Sequence, residues 1–379
     1  MPVDFSKIPS PCYVLDEQLL RNNLEIIKDT ANRAGIEILL AFKGFAQWSI
    51  FPVVKEYIKG ASASSLHEAR LGYEEMETLV HTYSPAYKKQ EFNEILKYSS
   101  HVTFNSLAQF YKFCPAIMRH ERKISPGLRV NPGYSEIATD IYNPAMPGSR
   151  LGITAGELGN DLPPSVEGLH FHALFESDSR QLEALLDVFE KKFGKFFQDI
   201  KWVNMGGGHL ITGANYDTEH LISIIKNFKE KHGLEIILEP GSAFAWKTGY
   251  LLSTVIDIVE RNGIRTAILD VSFTAHMPDC LEMPYKPKIL GAYDETPGKP
   301  TYRMGGNSCL SGDFMGNWSF DRELKRGDKI IFDDMIHYTM VKTTTFNGVQ
   351  HPSIGIWNDQ KGFMLVREFG YNDYKKRLS

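Results

Sequence analysis

Between residues 17 and 245, short apolar runs alternate with longer amphipathic, charged segments, and that alternation leaves the chain few folds to choose from. The runs are "EILLAFK", "GASAS", "TLVHTYS", "HVTFN", "SPGLRVN", "EGLHFHAL", "WVNMGGG" and "EIILEPG". Helical stretches lie between them, among them "SSLHEARLGYEEM", "SRQLEALLDVFEKKFGKFF" and "DTEHLISIIKNFKEKHG". In the last of these, Leu221, Ile224, Ile225 and Phe228 recur at helical spacing, which predicts one buried stripe. Asp178, just ahead of "SRQLEALL", reads as a helix N-cap. Strand followed by helix, repeated around the chain, predicts an α/β fold: a (β/α)8 TIM-type barrel over residues 17–245. The connection "RVNPGYSEIATDIYNPAMPGSRLGI" is long for such a barrel, and loops of that length usually serve function.

From residue 246 the texture changes. "GYLLSTVIDIVERNG", "TAILDVSF", "TYRMGGNSCLSGD", "DKIIFDDMIHYTMV" and "HPSIGIW" are short β-rich runs broken by Gly, Asp and Asn. They predict a mostly antiparallel β domain over residues 246–379. The N-terminal strand "SPCYVLDEQLL" is expected to pair with it, so residues 1–16 join that domain.

Composition removes several classes of function. Hydrophobic content of 42% with 23% charged residues describes a globular chain. A net charge of −4 without a basic stripe argues against a nucleic-acid partner. No apolar run approaches the ~20 residues of a membrane helix, and "MPVDFSKIPS" lacks the basic-then-apolar order of a signal peptide. Cys12, Cys114, Cys280 and Cys309 are far apart with no CxxC spacing, so a reducing cytoplasm is the expected location.

Barrel active sites gather at the C-terminal ends of the strands. Those ends carry Lys43, Arg129, His172, the run Gly206, Gly207 and Gly208, and Glu239. Lys43 either snorkels to water or is a desolvated, imine-forming amine; nothing local separates the two. His170 and His172 share a strand face; the pattern serves interior histidines and metal ligands equally at His170, while His172, nearer the rim, has the better claim to touch a ligand. Three glycines before a helix let the backbone approach an anion, or make only a tight turn. "GGG" and "PGS" follow the seventh and eighth runs, where barrels hold phosphate. An imine lysine, a phosphate cradle, an aromatic ring to stack and a strand-end carboxylate together suit pyridoxal 5'-phosphate, without a metal. The carboxylate would keep the pyridine nitrogen protonated, so the ring can accept electrons.

Nearly end to end, the chain resembles the β/α-barrel pyridoxal-phosphate decarboxylases, the group of the ornithine, arginine and diaminopimelate enzymes and, more distantly, alanine racemase. "NPGYSEIATDIYNPAMPGSRLGI", "TAHMPDCLEMPYKP" and "GNSCLSGDF" resemble the branch that decarboxylates carboxynorspermidine and carboxyspermidine in polyamine biosynthesis. The resemblance implies that Lys43 holds the cofactor aldehyde, His172 stacks on its ring and Glu239 meets the pyridine nitrogen. It also implies that Gly206, Gly207, Gly208 and Gly241 hold the phosphate through backbone N–H groups, with Tyr338 capping it and Ser65 and Arg129 close by. Phe346 and Asn347 would sit beside the substrate. Cys309 and Asp313 match a segment that a partner subunit donates in a homodimer with shared active sites. The cysteine would be the proton donor there, and the aspartate would hold a substrate amine. Taken by composition alone, Cys309 is equally an inert thiol.

The chain also departs from the group's pattern. Where the group usually has a carboxylate after "EPG", this chain has Ser242, which would weaken amine recognition there or shift it to Asp279. Ornithine-type enzymes carry an arginine there for the phosphate, and it is absent. Phe175 and Glu176 replace the "GS" of the ornithine and diaminopimelate enzymes. A polycationic substrate calls for acidic and aromatic neighbours, with Glu176, Asp279 and Asp313 as candidates. The open alternatives are a decarboxylase of a simpler basic amino acid, a non-catalytic pyridoxal-phosphate protein of the same fold, and a metal-dependent hydrolase built on His170 and His172.

Overall fold

The computed structural model describes residues 3–137 and 140–379; Ala138 and Thr139 of the long connection, and Met1 and Pro2, lie outside the described residues. The chain divides into two compact units, Asn23–Phe244 and Met1–Asn22 with Ala245–Ser379.

The first unit is a closed parallel barrel. Its first strand is broken at Leu39 into Glu37–Ile38 and Leu40–Ala41. The first piece pairs with Glu235–Leu238, the last strand, and the second with Ala61–Ala63. The ring continues through Val80–Tyr83, Ser99–Phe104, Ser125–Arg129, Gly168–His170 and Trp202–Asn204, each parallel to the next. Leu39 turns inward to pack with Trp202 and Ile237. The Trp202 indole fills so much of that layer that Gly127 and Gly168, on neighbouring strands, have no room for a Cβ beside it. Its Nε1–H donates to Ser125 Oγ at 2.8 Å, which satisfies the one polar atom of the ring.

The helices follow their sequence signals. Asp178 caps Ser179–Phe193 by accepting from the amides of Arg180 and Gln181, as its position predicts. Asp217 caps Thr218–His232, which ends at Gly233 with φ +69°. The buried stripe of that helix is Leu221, Ile222, Ile225 and Phe228; Ile224, expected in it, is only half-buried. The buried face is turned toward Ile222, which flanks the 221/225/228 stripe on the side opposite Ile224.

The second unit is a mixed sheet in which antiparallel pairings predominate. Cys12–Asp16 is buried along its whole length. It pairs antiparallel with Gly249–Arg261 and parallel with Ser353–Asn358, so the N-terminal strand joins the later sheet as expected. The sheet runs Phe314–Ser319, Thr301–Gly305, Ile264–Leu269, Gly249–Arg261, Cys12–Asp16, Ser353–Asn358, Gly362–Arg367, with Lys329–Asp333 also on Gly249–Arg261. Phe314–Ser319 and Gly362–Arg367 lie outside the runs recognised in the sequence. Among the described residues no helix is long and apolar enough to cross a membrane.

Candidate active site

All barrel strands run the same way, so their last residues share one rim. Arg129 ends its strand; Lys43, Ser65 and His172 follow Ala41, Ala63 and His170; Gly206–Gly208 follow Asn204; Glu239, Gly241 and Ser242 follow Leu238. The fold therefore brings the expected barrel residues together.

His172 links several of them. The Gly207 N–H donates to His172 Nδ1 at 2.9 Å. A backbone N–H can only donate, so Nδ1 carries the lone pair and the neutral ring has its proton on Nε2. That nitrogen lies 3.4 Å from Lys43 Nζ. The contact is favourable when the amine is the acceptor, that is, uncharged. Burial first, and the Arg129 guanidinium second, lower the lysine's pKa; burial, then Lys43 and Arg129, lower that of His172. Lys43 forms no ion pair among the described residues. Arg129, itself buried, donates from Nη2 to the His172 carbonyl at 3.3 Å and lies 4.6 Å from the Tyr83 ring centroid.

Glu239 is 7% exposed and accepts from Asn204 Nδ2 at 2.7 Å. Burial raises its pKa to about 7, against the opposing pull of Asn204, Lys43 and Arg129. His81 Nδ1 and His170 Nε2 stand 3.7 and 3.8 Å from its oxygens. His170 is buried, and neither of its ring nitrogens has a hydrogen-bond partner among the described residues.

The glycine turn is required sterically. Gly206 and Gly208 have φ of +70° and +90°, and a Cβ at Gly207 would strike the Glu239 carbonyl. The expectation that all four glycine amides face a phosphate needs correction, because two are already engaged. Gly206 N–H donates to Asn204 Oδ1 at 2.8 Å and Gly207 N–H to His172. The amides of Gly208 and Gly241 have no partner among the described residues and are the ones left for an anion.

Ser65 caps Leu66–Glu75 by accepting from the Glu68 amide at 3.2 Å, which leaves its O–H to donate. Glu176 is exposed and has φ +44°, a conformation a long side chain adopts only when its surroundings hold it. Beside it the Phe175 ring stacks on Tyr142, centroids 4.8 Å apart. Ser242 is buried at the start of a short helical turn, Ser242–Ala245.

In the sheet unit, Cys309 is the exposed thiol, while Cys12, Cys114 and Cys280 are buried. Its N–H donates to Asn347 Oδ1 at 2.8 Å, and Asn347 has φ +56°. Phe346 is 44% exposed, and Tyr338 opens the turn Tyr338–Val341. Asp313 is placed otherwise than expected. It is buried; Oδ1 accepts from the amides of Phe273 and Thr274 at 2.7 and 3.2 Å, and Oδ2 from that of Ser308 at 3.0 Å. Three of its lone-pair sites thus tie the Cys309 loop to the Phe273–His276 turn, a scaffold task beyond the substrate contact expected of it. Asp279 is also buried. Its Oδ2 accepts from Thr339 Oγ1 at 2.7 Å and Tyr285 Oη at 2.9 Å, while Oδ1 is unpartnered among the described residues.

Asn204, His81 and Glu68 went unrecognised in the sequence. Glu68 takes the Ser64 N–H at 2.6 Å and is one of the charges acting on Lys43. A polar residue at the end of "WVN" was the available signal for Asn204.

These groups fit pyridoxal phosphate: an amine without an ion pair, two unengaged amides, one of them at a glycine that admits no side chain, and a buried carboxylate that accepts from the Asn204 amide. Comparison with known proteins agrees. The family described as "Pyridoxal-dependent decarboxylase, C-terminal sheet domain" matches residues 12–336. A carboxyaminopropylagmatine decarboxylase from Synechocystis sp. is 50% identical over 98% of this chain and 96% of its own. A carboxynorspermidine/carboxyspermidine decarboxylase from Campylobacter jejuni is 45% identical over 98% and 99%. The crystal structure of carboxynorspermidine decarboxylase complexed with norspermidine, from Campylobacter jejuni, superposes with a TM-score of 0.90 at 45% identity, covering 98% of this chain and all of that one. With a family model over residues 12–336 and relatives at 45–50% identity along nearly the whole chain, the chain belongs to the pyridoxal-dependent decarboxylases.

Proposed function

We propose that the chain decarboxylates carboxynorspermidine or carboxyspermidine, releasing norspermidine or spermidine. The observation that carries this reading is full-length similarity at 45% identity to an enzyme named for those substrates. A second reading has its own support: the relative at 50% identity is named for carboxyaminopropylagmatine. Both readings share a carboxylated amino-acid end on a polycationic tail. Parallel turnover of carboxynorspermidine, carboxyspermidine, carboxyaminopropylagmatine, arginine, ornithine and diaminopimelate tests them. Release of carbon dioxide from one of the first two, fastest, supports the first reading; preference for the third establishes the second; preference for a simple amino acid removes both.

Pyridoxal phosphate, when bound, supplies the electron sink that allows the α-carbon to release carbon dioxide. Lys43, whose pKa burial and Arg129 lower, would supply the amine that holds the cofactor aldehyde. His172 offers its ring face and is fixed in one tautomer by Gly207. Glu239 would set its carboxylate against the ring nitrogen, and the amides of Gly208 and Gly241 would bind the phosphate. Glu176, Phe175 and Tyr142 present a carboxylate and aromatic faces suited to a cationic tail. Cys309 delivers a proton to the α-carbon, its backbone held by Asn347. In a homodimer this loop serves the site of the partner subunit. The exposed Leu310, Phe314 and Phe346 on and near it support such an interface. Four free cysteines support a cytoplasmic location. Sedimentation of the purified protein at the mass of one 43.0 kDa chain would remove the dimer.

A further inference from the structure

One side chain ties together the two parts of the barrel rim that meet opposite ends of the cofactor. Asn204 is fully buried at the end of the strand Trp202–Asn204. The Gly206 N–H, which can only donate, faces its Oδ1 at 2.8 Å and thereby fixes the orientation of the amide. Its Nδ2 group then has one N–H for Glu239 Oε1 at 2.7 Å and the other for His81 Nδ1 at 3.1 Å. His81 must accept at Nδ1, so its proton sits on Nε2, 2.8 Å from Thr103 Oγ1. The chain Thr103–His81–Asn204–Glu239 has a single consistent proton arrangement. It requires Glu239 Oε1 to be an acceptor.

We propose that Asn204 is a positioning residue for cofactor binding: it aims the Glu239 carboxylate at the pyridine nitrogen while fixing the Gly206 turn, so both polar ends of pyridoxal phosphate are set by one amide. The inference rests on the reading of Glu239 as the acid at that nitrogen. Steric packing alone does not account for Asn204, since an apolar side chain of the same size would fill the space without any of the three hydrogen bonds. The charged and titratable groups facing the Glu239 carboxylate are His81, His170, Lys43 and Arg129, with His172 and Tyr83 next to them.

The test measures the dissociation constant of pyridoxal phosphate by titrating cofactor-stripped protein, following the near-ultraviolet and visible bands. Asn204→Leu preserves volume and removes every hydrogen bond; weakening of at least ~10-fold is expected from loss of hydrogen bonds to a charged group. Asn204→Asp is isosteric, keeps the acceptor for Gly206 and loses the donor to Glu239. Its affinity relative to the wild type should fall at pH 8, where two carboxylates lie side by side, and recover toward pH 6, where they share a proton. That pH profile is not a consequence of packing. In a Glu239→Gln background the pH-dependent part of the Asp effect should vanish. Both variants binding within twofold of the wild type at both pH values would overturn the proposal. Should Asn204→Leu fail to fold, the isosteric Asp variant decides alone. If Glu239→Gln itself leaves affinity and bands unchanged, the reading of Glu239 fails; if Glu239→Gln matters and the Asn204 variants do not, this inference alone fails.

Discussion

Glu239→Gln should make the cofactor-free protein more stable while abolishing its function, and the size of the gain follows from the site. Burial raises the Glu239 pKa from 4.5 to about 7. At ~1.4 kcal/mol per tenfold change in proton affinity, holding that carboxylate ionised costs the folded protein about 3 kcal/mol. The cost depends on pH in a defined direction. Below pH 4.5 the group is protonated whether the chain is folded or not, and it contributes nothing. Between 4.5 and about 7 the folded protein keeps a proton that the unfolded chain loses, so stability falls as pH rises. Above about 7 the penalty is complete. Glutamine is isosteric, still accepts from Asn204 Nδ2, and turns its own amide toward His170, whose ring nitrogens lack partners. Urea unfolding of stripped protein, followed by circular dichroism, should show the Gln variant gaining about 2 kcal/mol more over the wild type at pH 8 than at pH 5. An advantage equal at both pH values, or absent at pH 8, would refute the argument that a buried ionised carboxylate is being held there. Turnover of the reloaded variant should fall steeply, because a neutral amide does not keep the ring nitrogen protonated.

Other perturbations separate scaffold from chemistry. Gly168→Ala drives a methyl group into the Trp202 indole and should cost ~1–3 kcal/mol; a smaller residue at 202 should relieve it, read as melting temperature in the double variant. Asp313→Ala leaves three backbone N–H groups without their acceptor and should destabilise by ~3 kcal/mol or more, with faster proteolysis between residues 306 and 313. Unchanged proteolysis would return Asp313 to the candidates for substrate contact. Cys309→Ala should leave cofactor affinity unchanged and slow formation of the amine product; equal product formation would remove it as proton donor.

The barrel was legible because its two periodicities are local: apolar runs at strand length, stripes at helix spacing, and caps such as Asp178 at the junctions. The break at Leu39 was not, because "EILLAFK" reads as one strand. Its two halves separate only when each finds a different neighbour around a closed ring. The rim residues were legible from their place after each strand. The polar interior beneath them was hidden, since in a parallel barrel nothing local distinguishes an inward His81 or Asn204 from an ordinary strand residue. The scaffold task of Asp313 was hidden for another reason. Its partners at Phe273 and Thr274 lie far away in sequence, so nothing local showed that this acid ties the Cys309 loop to a distant turn.

Every role proposed for the rim depends first on the amine at position 43. Borohydride reduction of the purified, cofactor-loaded protein, followed by proteolysis and mass spectrometry, tests it most directly. The expected result is loss of the visible band and a pyridoxyl phosphate mass on the peptide containing Lys43, with none in a Lys43→Arg variant. The same label on another lysine, or no label on protein that still releases carbon dioxide, would contradict it.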